Sequence, residues 1–294
     1  MLSYIEPVFR PPSEARSLIL QITNGCSWNN CTFCEMYTQE QKKFRPTSTD
    51  KVLEDIEIAA KSTIPFEKVF LADGDAMALS MRKLIIILEE IRTRMPWVKR
   101  VSSYCLPRNL KNKSVEDLIQ LKKLGLDILF VGCESGDDEV LGKVNKGETY
   151  QTQKDALLKI KQAGLRSSVM ILNGLGGTEF SHQHALNSAK LMNECQPDYL
   201  STLVVSFPTG EDRLKEGFNN QWQQLDQIGL FQELRLFIEN LELTDTVFRS
   251  DHASNYLPLK GTLGADKSQL LEKLDLALHQ PDKIALRQEW QRGL

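Results

Sequence analysis

One phrase that occurs twice constrains the fold more than any other feature. Leu121-Lys122-Lys123-Leu124-Gly125-Leu126 runs into Ile128-Leu129-Phe130-Val131, and Ile160-Lys161-Gln162-Ala163-Gly164-Leu165 runs into Val169-Met170-Ile171-Leu172. Each is the end of a helix, a glycine at its C-terminal cap, and a strand with almost no polar interruption. Strands that are apolar on both sides mark a parallel sheet, because crossover helices cover both of its faces.

The same alternation runs along the chain from Ser17 onward. Strands are expected over 18–22, 68–72, 100–105, 128–131, 169–172 and 199–205. Ser48 or Thr49 can cap a helix with Val52, Ile56 and Ala59 on one face, and Ser80 a longer one stopped by Pro96. Ser114 with Asp117 forms a capping-box start, and Ser181 is expected to open a helix with Ala185, Ala189 and Met192 inward. Six such units predict an α/β fold, a partial parallel (βα)6 TIM-like barrel with right-handed crossovers. Ligands of these folds lie at the C-terminal strand ends, so the segment after each strand is where chemistry is expected.

Composition excludes several classes. Forty-one per cent hydrophobic and 26% charged residues suit an ordinary globular protein. A net charge of −3 leaves no electrostatic footprint for nucleic acid, apart from a local patch at Lys42, Lys43 and Arg45. The longest aliphatic run, Leu84 to Leu88, is far too short to span a membrane. Residues 1–16, with Pro7, Pro11 and Pro12, read as an extended lead-in without a signal-peptide core. Six cysteines, three of them clustered, suggest metal chemistry in a reducing cytoplasm rather than a disulfide framework.

The cluster follows the first strand: Cys26, Cys31 and Cys34, spaced C-x4-C-x2-C. No fourth ligand lies nearby to close a tetrahedral zinc site. Iron–sulfur clusters take Cys thiolates, usually four, so a loop with three leaves one iron open for catalysis. Packing of the three as small hydrophobes is the bland alternative, and the Asn, Ser and Thr between them argue against it.

This loop resembles that of the radical S-adenosylmethionine (SAM) enzymes. Their pattern is C-x3-C-x2-C with an aromatic residue before the last Cys, here Phe33; the first gap is one residue longer in this chain. Asp73-Gly74-Asp75, after the second strand, matches the position of the family's "GGE" motif, although Asp and Gly also favour plain turns. Gly132-Cys133-Glu134-Ser135-Gly136, followed by Leu141 and Asn145-Lys146-Gly147, is similar to a signature of the branches that include methylthiotransferases and oxygen-independent coproporphyrinogen oxidase. Without the resemblance, Ser135 or Asp137 is simply a helix cap. Asn173-Gly174-Leu175-Gly176-Gly177 and Ser206-Phe207-Pro208-Thr209-Gly210 fall where the family has an adenine-side glycine segment and a closing "P-x-G-T" region. The resemblance covers about residues 17–210.

It implies that Cys26, Cys31 and Cys34 hold a [4Fe–4S] cluster whose open iron is chelated by SAM. It also implies that Phe33, Asp73, Gly74, Asp75, Glu134, Ser135, Asn173 and Ser206 form the cofactor-binding set. An external reductant of the flavodoxin or ferredoxin type would drive cleavage of SAM to a 5′-deoxyadenosyl radical, which takes hydrogen from a substrate. Such division of labour leaves the hard chemistry to the cofactor.

Beyond residue 210 the family pattern ends. A helix is expected over 219–240, interrupted by Gly229, and helical stretches from Asp266 and from Pro281. Three domains follow: the 1–16 lead-in, a 17–210 barrel and a mainly helical 211–294 extension. The polar string between Val247-Phe248 and Tyr256-Leu257 suits a loop anchored at both ends, with Arg249, His252 and Asn255 as candidate substrate residues. His182, His184 and His279 do not pair visibly with the cysteines. Cys105, Cys133 and Cys195 suit core packing, but Cys105 or Cys133 as a fourth ligand would make the chain an electron carrier. Lacking an obvious RNA-binding domain, the chain is expected to act on a small molecule, with tRNA or a peptide as the alternatives. A zinc-stabilised RNA-binding module is disfavoured by the acidic charge.

Overall fold

The computed structural model describes residues 2–207 and 210–293. Two compact units are present. One takes the chain up to Asn29, Cys34–Val131 and Leu158–Ser167; the other takes Asn30–Phe33, Gly132–Leu157 and Ser168 onward.

The first unit begins with β1 (Leu18–Gln21) and β2 (Thr23–Asn24), and β3 (Arg45–Pro46) pairs antiparallel with β2. That short ladder closes the base of the excursion carrying the cysteines. Then follow α1 (Thr49–Ala60), β4 (Lys68–Ala72), α2 (Met81–Arg94), β5 (Arg100–Tyr104) and α3 (Val115–Lys123). Next comes β6 (Leu126–Glu134), whose last residues belong to the second unit. β4 pairs in parallel with β1 and with β5, and β5 with β6. Val69, Phe70, Leu71 and Ala72 are fully buried, as a strand covered on both faces requires. The caps read from sequence are in place. Ser48 accepts from the Lys51 N–H, Ser80 from Lys83, and Ser114 exchanges bonds with Asp117. Gly125 and Gly164 end their helices at φ +108° and +69°, a region that side-chain-bearing residues avoid.

The second unit contains α4 (Asp138–Lys143), most of α5 (Tyr150–Gln162), β7 (Arg166–Asn173) from Ser168, α6 (Gly177–Cys195) and β8 (Tyr199–Val204). After these come α7 (Asp212–Gly217), α8 (Gln227–Glu239), β9 (Val247–Ser250), β10 (Leu259–Thr262) and α9 (Lys267–His279). β8 pairs in parallel with β7 and β9, and β10 returns antiparallel to β9. Helix α8 packs between α6 and α9. All six expected strands are present within a residue or two, except that β6 and β7 extend well beyond their expected limits.

Four local expectations are corrected. β9 is an additional parallel strand where only a lead into a polar loop was read; at four residues with Arg249 exposed, it owes its existence to pairing with β8. Helix α6 starts at Gly177 rather than Ser181. Helix α8 starts at Gln227 rather than 219, because the Asp226 carboxylate takes the Gly229 N–H. The stretch from Pro281 holds only the 3-10 turns Pro281–Lys283 and Glu289–Gln291. Among the described residues, no helix is long and apolar enough to cross a membrane.

Candidate cofactor site

In the first unit the strand-end carboxylates of the Asp73-Gly74-Asp75 turn bracket Cys26. Asp73 Oδ2 accepts the Gly25 N–H at 3.5 Å, and Asp75 Oδ2 accepts the Ser27 N–H at 3.3 Å together with the Ser27 hydroxyl. The residues on either side of Cys26 are thus pinned to the end of β4. Asp73 also pairs with Lys42, both fully buried, and takes a 3.4 Å bond from Gln21; Lys42 donates to the Ile5 carbonyl at 2.9 Å. Asp73 Oδ1 and Asp75 Oδ1 are buried without a partner. Burial pushes the Asp75 carboxyl up, against the bonds from Ser27 and Asn109 and the nearby Arg108 charge. Gly74 is required by space: a Cβ there would lie 2.4 Å from the Tyr37 ring. Arg108 stacks 3.9 Å over Trp28, next along the loop.

In the second unit the stretch containing Cys31 and Phe33 is tied to α4 and α7. The Thr32 N–H donates to the Val144 carbonyl at 3.0 Å, and Arg213 donates to the Cys31 carbonyl at 3.2 Å. Phe33 packs against the apolar cluster of Val140, Val144, Leu175, Phe180, Leu214 and Trp222. Lys146 lies 5.7 Å over the Phe33 ring and donates to Glu134 Oε1 at 3.1 Å. Burial lowers the Lys146 ammonium, but Glu134 and Cys31 outweigh it and hold the group above the usual lysine range. Glu134 itself sits at φ +66°, a left-handed conformation costing about 1–3 kcal/mol for a residue with a side chain. Its Oε2 is buried and unpartnered.

The next residues along these strand ends share a second network. Ser135 Oγ accepts the Asp137 N–H at 3.0 Å and meets His184 Nδ1 at 2.8 Å; Asn173 Nδ2 donates to Glu233 at 2.6 Å. Ser206 lines a cavity of about 420 Å3 at the end of β8, with Gln224, Glu211, Glu289 and Arg292. Pro208 and Thr209 of the expected closing motif lie outside the described residues. Arg249 is exposed and donates to its neighbour's carbonyl, from Phe248. His252 Nδ1 meets Ser254 Oγ at 2.9 Å, and burial followed by the Arg287 charge pushes its imidazole down, against Asp251. Asn255 is buried and spends its amide on β8, accepting the Val204 N–H and donating to the Thr202 carbonyl, both at 3.0 Å. Arg287 and Arg292, from the stretch expected to be helical from Pro281, grip this segment through the His252, Asn255 and Ser254 carbonyls.

Glu233 went unread in the sequence, while Lys42, Lys146 and His184 were named there without the partners the fold gives them. A signal for two of these four existed. His184 shares the buried stripe of α6 with Phe180, Ser188 and Leu191, and Glu233 sits among buried Leu230, Leu234 and Phe237 on α8. A polar residue on an apolar stripe implies a buried partner.

The donor set suits the expected cofactors. Cys26, Cys31 and Cys34 are partly exposed, whereas Cys105, Cys133 and Cys195 are buried. Burial raises the Cys133 thiol well above its ordinary value. Asp75 Oδ1 in the first unit and Glu134 Oε2 in the second are buried carboxylate oxygens without partners. Among the described residues, no three His, Cys, Asp or Glu side chains converge as ligands of a single metal ion.

The profile of the radical SAM superfamily matches residues 20–189, more than half of the chain. The chain belongs to the radical SAM superfamily. This radical SAM enzyme is 27% identical over 165 residues to 4′-phospho-dehydrooxetanocin synthase of Priestia megaterium, covering 51% of this chain and 22% of that protein. It is 20% identical over 175 residues to the heme chaperone HemW of Buchnera aphidicola, covering 58% and 46%. The chain spans less than half the length of the curated relatives it matches. Among solved structures, methylornithine synthase aligns with a TM-score of 0.52 at 16% identity, over 78% of this chain and 65% of that one. The likeness shows the fold: the α/β, partial parallel TIM-like barrel expected from the strand pattern. As a member of this superfamily the protein is an enzyme with a [4Fe–4S] cluster and SAM as cofactors.

Proposed function

We propose that this enzyme uses SAM to activate a small-molecule substrate, with Cys26, Cys31 and Cys34 holding the cluster. When bound, the cluster and SAM supply a 5′-deoxyadenosyl radical able to remove hydrogen from an unreactive carbon. Asp75 offers a buried, unpartnered oxygen to the amino group of SAM, and Glu134, with its own unpartnered oxygen, serves the methionyl part. Lys146 fixes the Glu134 carboxylate and brings a positive charge beside Cys31, favouring its thiolate. Phe33, Asp73, Gly74, Ser135 and Asn173 complete the cofactor set, with Asp73 and Gly74 acting through the seating of the cysteine loop. Residues 17–210 carry this cofactor chemistry, and 211–294 close the substrate side.

The observation that carries the small-molecule reading is the cavity beside Ser206. At about 420 Å3 it falls within the ~300–1,000 Å3 of ordinary small-ligand pockets, and its lining mixes Glu289, Arg292 and Gln224. Arg292 also bonds the Ser254 carbonyl and stacks 3.8 Å over Tyr256, linking the cavity to the segment holding His252. Arg249 and His252 face the substrate in this reading, while Asn255 seats their segment on β8. The name of the Priestia relative, a synthase of a small phosphorylated compound, supports the same substrate class. Electrons come from a flavodoxin or ferredoxin type donor.

Anaerobic reconstitution should give about four irons per chain. Dithionite and SAM should then yield 5′-deoxyadenosine and methionine. Stoichiometric zinc with no iron in protein purified without oxygen would overturn the reading.

A further inference from the structure

Among the buried titratable side chains of the second unit, two stand behind Ser135 and Asn173 of the expected cofactor set. Glu233, on α8, is 3% exposed, and His184, on α6, is 1% exposed. Glu233 Oε1 accepts the Asn173 Nδ2 and the Gly174 N–H, both at 2.6 Å. Asn173 Nδ2 also reaches the Leu230 carbonyl at 3.4 Å. The amide of Asn173 is therefore oriented, with its nitrogen toward α8 and its oxygen left as the group offered to a ligand. On the other side, the Asp137 N–H donates to Ser135 Oγ, whose hydroxyl meets His184 Nδ1. Ser135 Oγ and His184 Nδ1 share one hydrogen, and the other ring nitrogen of His184, Nε2, is turned toward Glu233. That nitrogen lies 3.8 Å from Glu233 Oε1, too far for a direct hydrogen bond.

A cavity of about 10 Å3 is lined by His184, Glu233, Thr202 and Asn173 together with the apolar Ile171, Ala185, Leu234 and Phe237. Glu233 Oε2 and Thr202 Oγ1 are buried there without partners. A site of this size holds one water, and three polar partners are what a buried water takes.

We propose that His184 and Glu233 are a positioning pair for the SAM site, bridged by one water, and that the C-terminal extension shapes cofactor binding through Glu233. His184 sets the Ser135 hydroxyl at the end of β6, and Glu233 sets the Asn173 amide and the Gly174 backbone at the end of β7. Glu233 lies outside the residues 20–189 matched by the superfamily profile, so this contribution belongs to the extension. The inference rests on the reading that Ser135 and Asn173 meet SAM.

The test uses the anaerobically reconstituted full chain, with three readouts: iron content, SAM affinity by equilibrium dialysis, and Gly174 amide exchange by mass spectrometry without SAM. Glu233→Ala should leave iron unchanged, weaken SAM binding about tenfold and speed Gly174 exchange at least about tenfold, as expected for loss of bonds to a carboxylate. Glu233→Gln still presents an oxygen to Asn173 and Gly174, so both values should return to within about threefold of the parent. His184→Asn should weaken SAM binding about threefold and leave Gly174 exchange unchanged. Unchanged affinity and exchange in Glu233→Ala overturn the pair, as does a Gln variant as impaired as the Ala variant. Should Glu233→Ala fail to fold, the Gln and His184→Asn variants decide in the same terms. Parent protein that binds iron but no SAM would overturn the reading of the site, while Gly174 exchange would still judge the Glu233 bonds.

Discussion

Among the described residues, each unit buries a lysine–carboxylate pair, and the two pairs are satisfied differently. Lys42–Asp73 is sealed from solvent, and one Asp73 oxygen collects Lys42, Gln21 and the Gly25 N–H, while Lys42 holds the Ile5 carbonyl. Four separate pieces of chain meet at that point. Lys146–Glu134 keeps one hydrogen bond, an aromatic face and a positive-φ backbone on the carboxylate. Removing two charges from water costs several kcal/mol per ion, offset only where further hydrogen bonds satisfy what remains. The first pair meets that condition and acts as a clamp on the cysteine loop. The second remains strained and under-bonded, the state of a group kept for a ligand.

The largest effect should come from the cysteines themselves. Cys26→Ala, Cys31→Ala and Cys34→Ala should each abolish iron binding and the visible charge-transfer absorbance, whereas Cys105→Ala, Cys133→Ala and Cys195→Ala should keep both. Iron retained without Cys26 would detach the clamp from the site.

Next in size is the clamp. Lys42→Met strands the buried Asp73 charge and should cost about 3–5 kcal/mol in chemical denaturation, much of it recovered by adding Asp73→Asn. Lys146→Met should cost less, because Glu134 is already under-bonded. Equal losses would break the comparison.

Asn255→Ala should cost about 1–3 kcal/mol by the same measurement, since it strips partners from the Val204 N–H and the Thr202 carbonyl, with iron content unchanged. A loss of substrate turnover without any loss of stability would instead put Asn255 in contact with substrate.

The smallest change sharpens the second pair. Glu134→Gln keeps the size of the side chain and removes its charge; SAM binding should weaken about tenfold, with iron content unchanged and stability altered by less than about 1 kcal/mol. Unaltered affinity would return Glu134 to a purely structural role.

Much of this arrangement was legible before folding. The paired helix–Gly–strand phrases announced parallel strands, and Ser48, Ser80 and Ser114 marked helix starts that the structure keeps. The C-x4-C-x2-C loop after the first strand pointed to its chemistry despite the extra residue in its first gap. Short elements were harder to read. β9 has four residues and takes its strand conformation from β8, while α8 starts where the Asp226 carboxylate reaches the Gly229 N–H rather than where apolar periodicity begins.

Sequence by itself determined what depends on neighbours within a few positions: helix and strand periodicity, caps, the glycine ends at Gly125 and Gly164, and the cysteine spacing. Only the tertiary structure decided which charge meets which. Lys42 reaches Asp73 across 31 positions, Gly174 reaches Glu233 across 59 and Asn173 reaches Glu233 across 60. In the sequence these are an ordinary surface lysine, a turn residue and a helix glutamate. Their roles arise because parallel crossovers bring distant strand ends together and exclude water there, and a buried charge must find a partner wherever the fold has placed one.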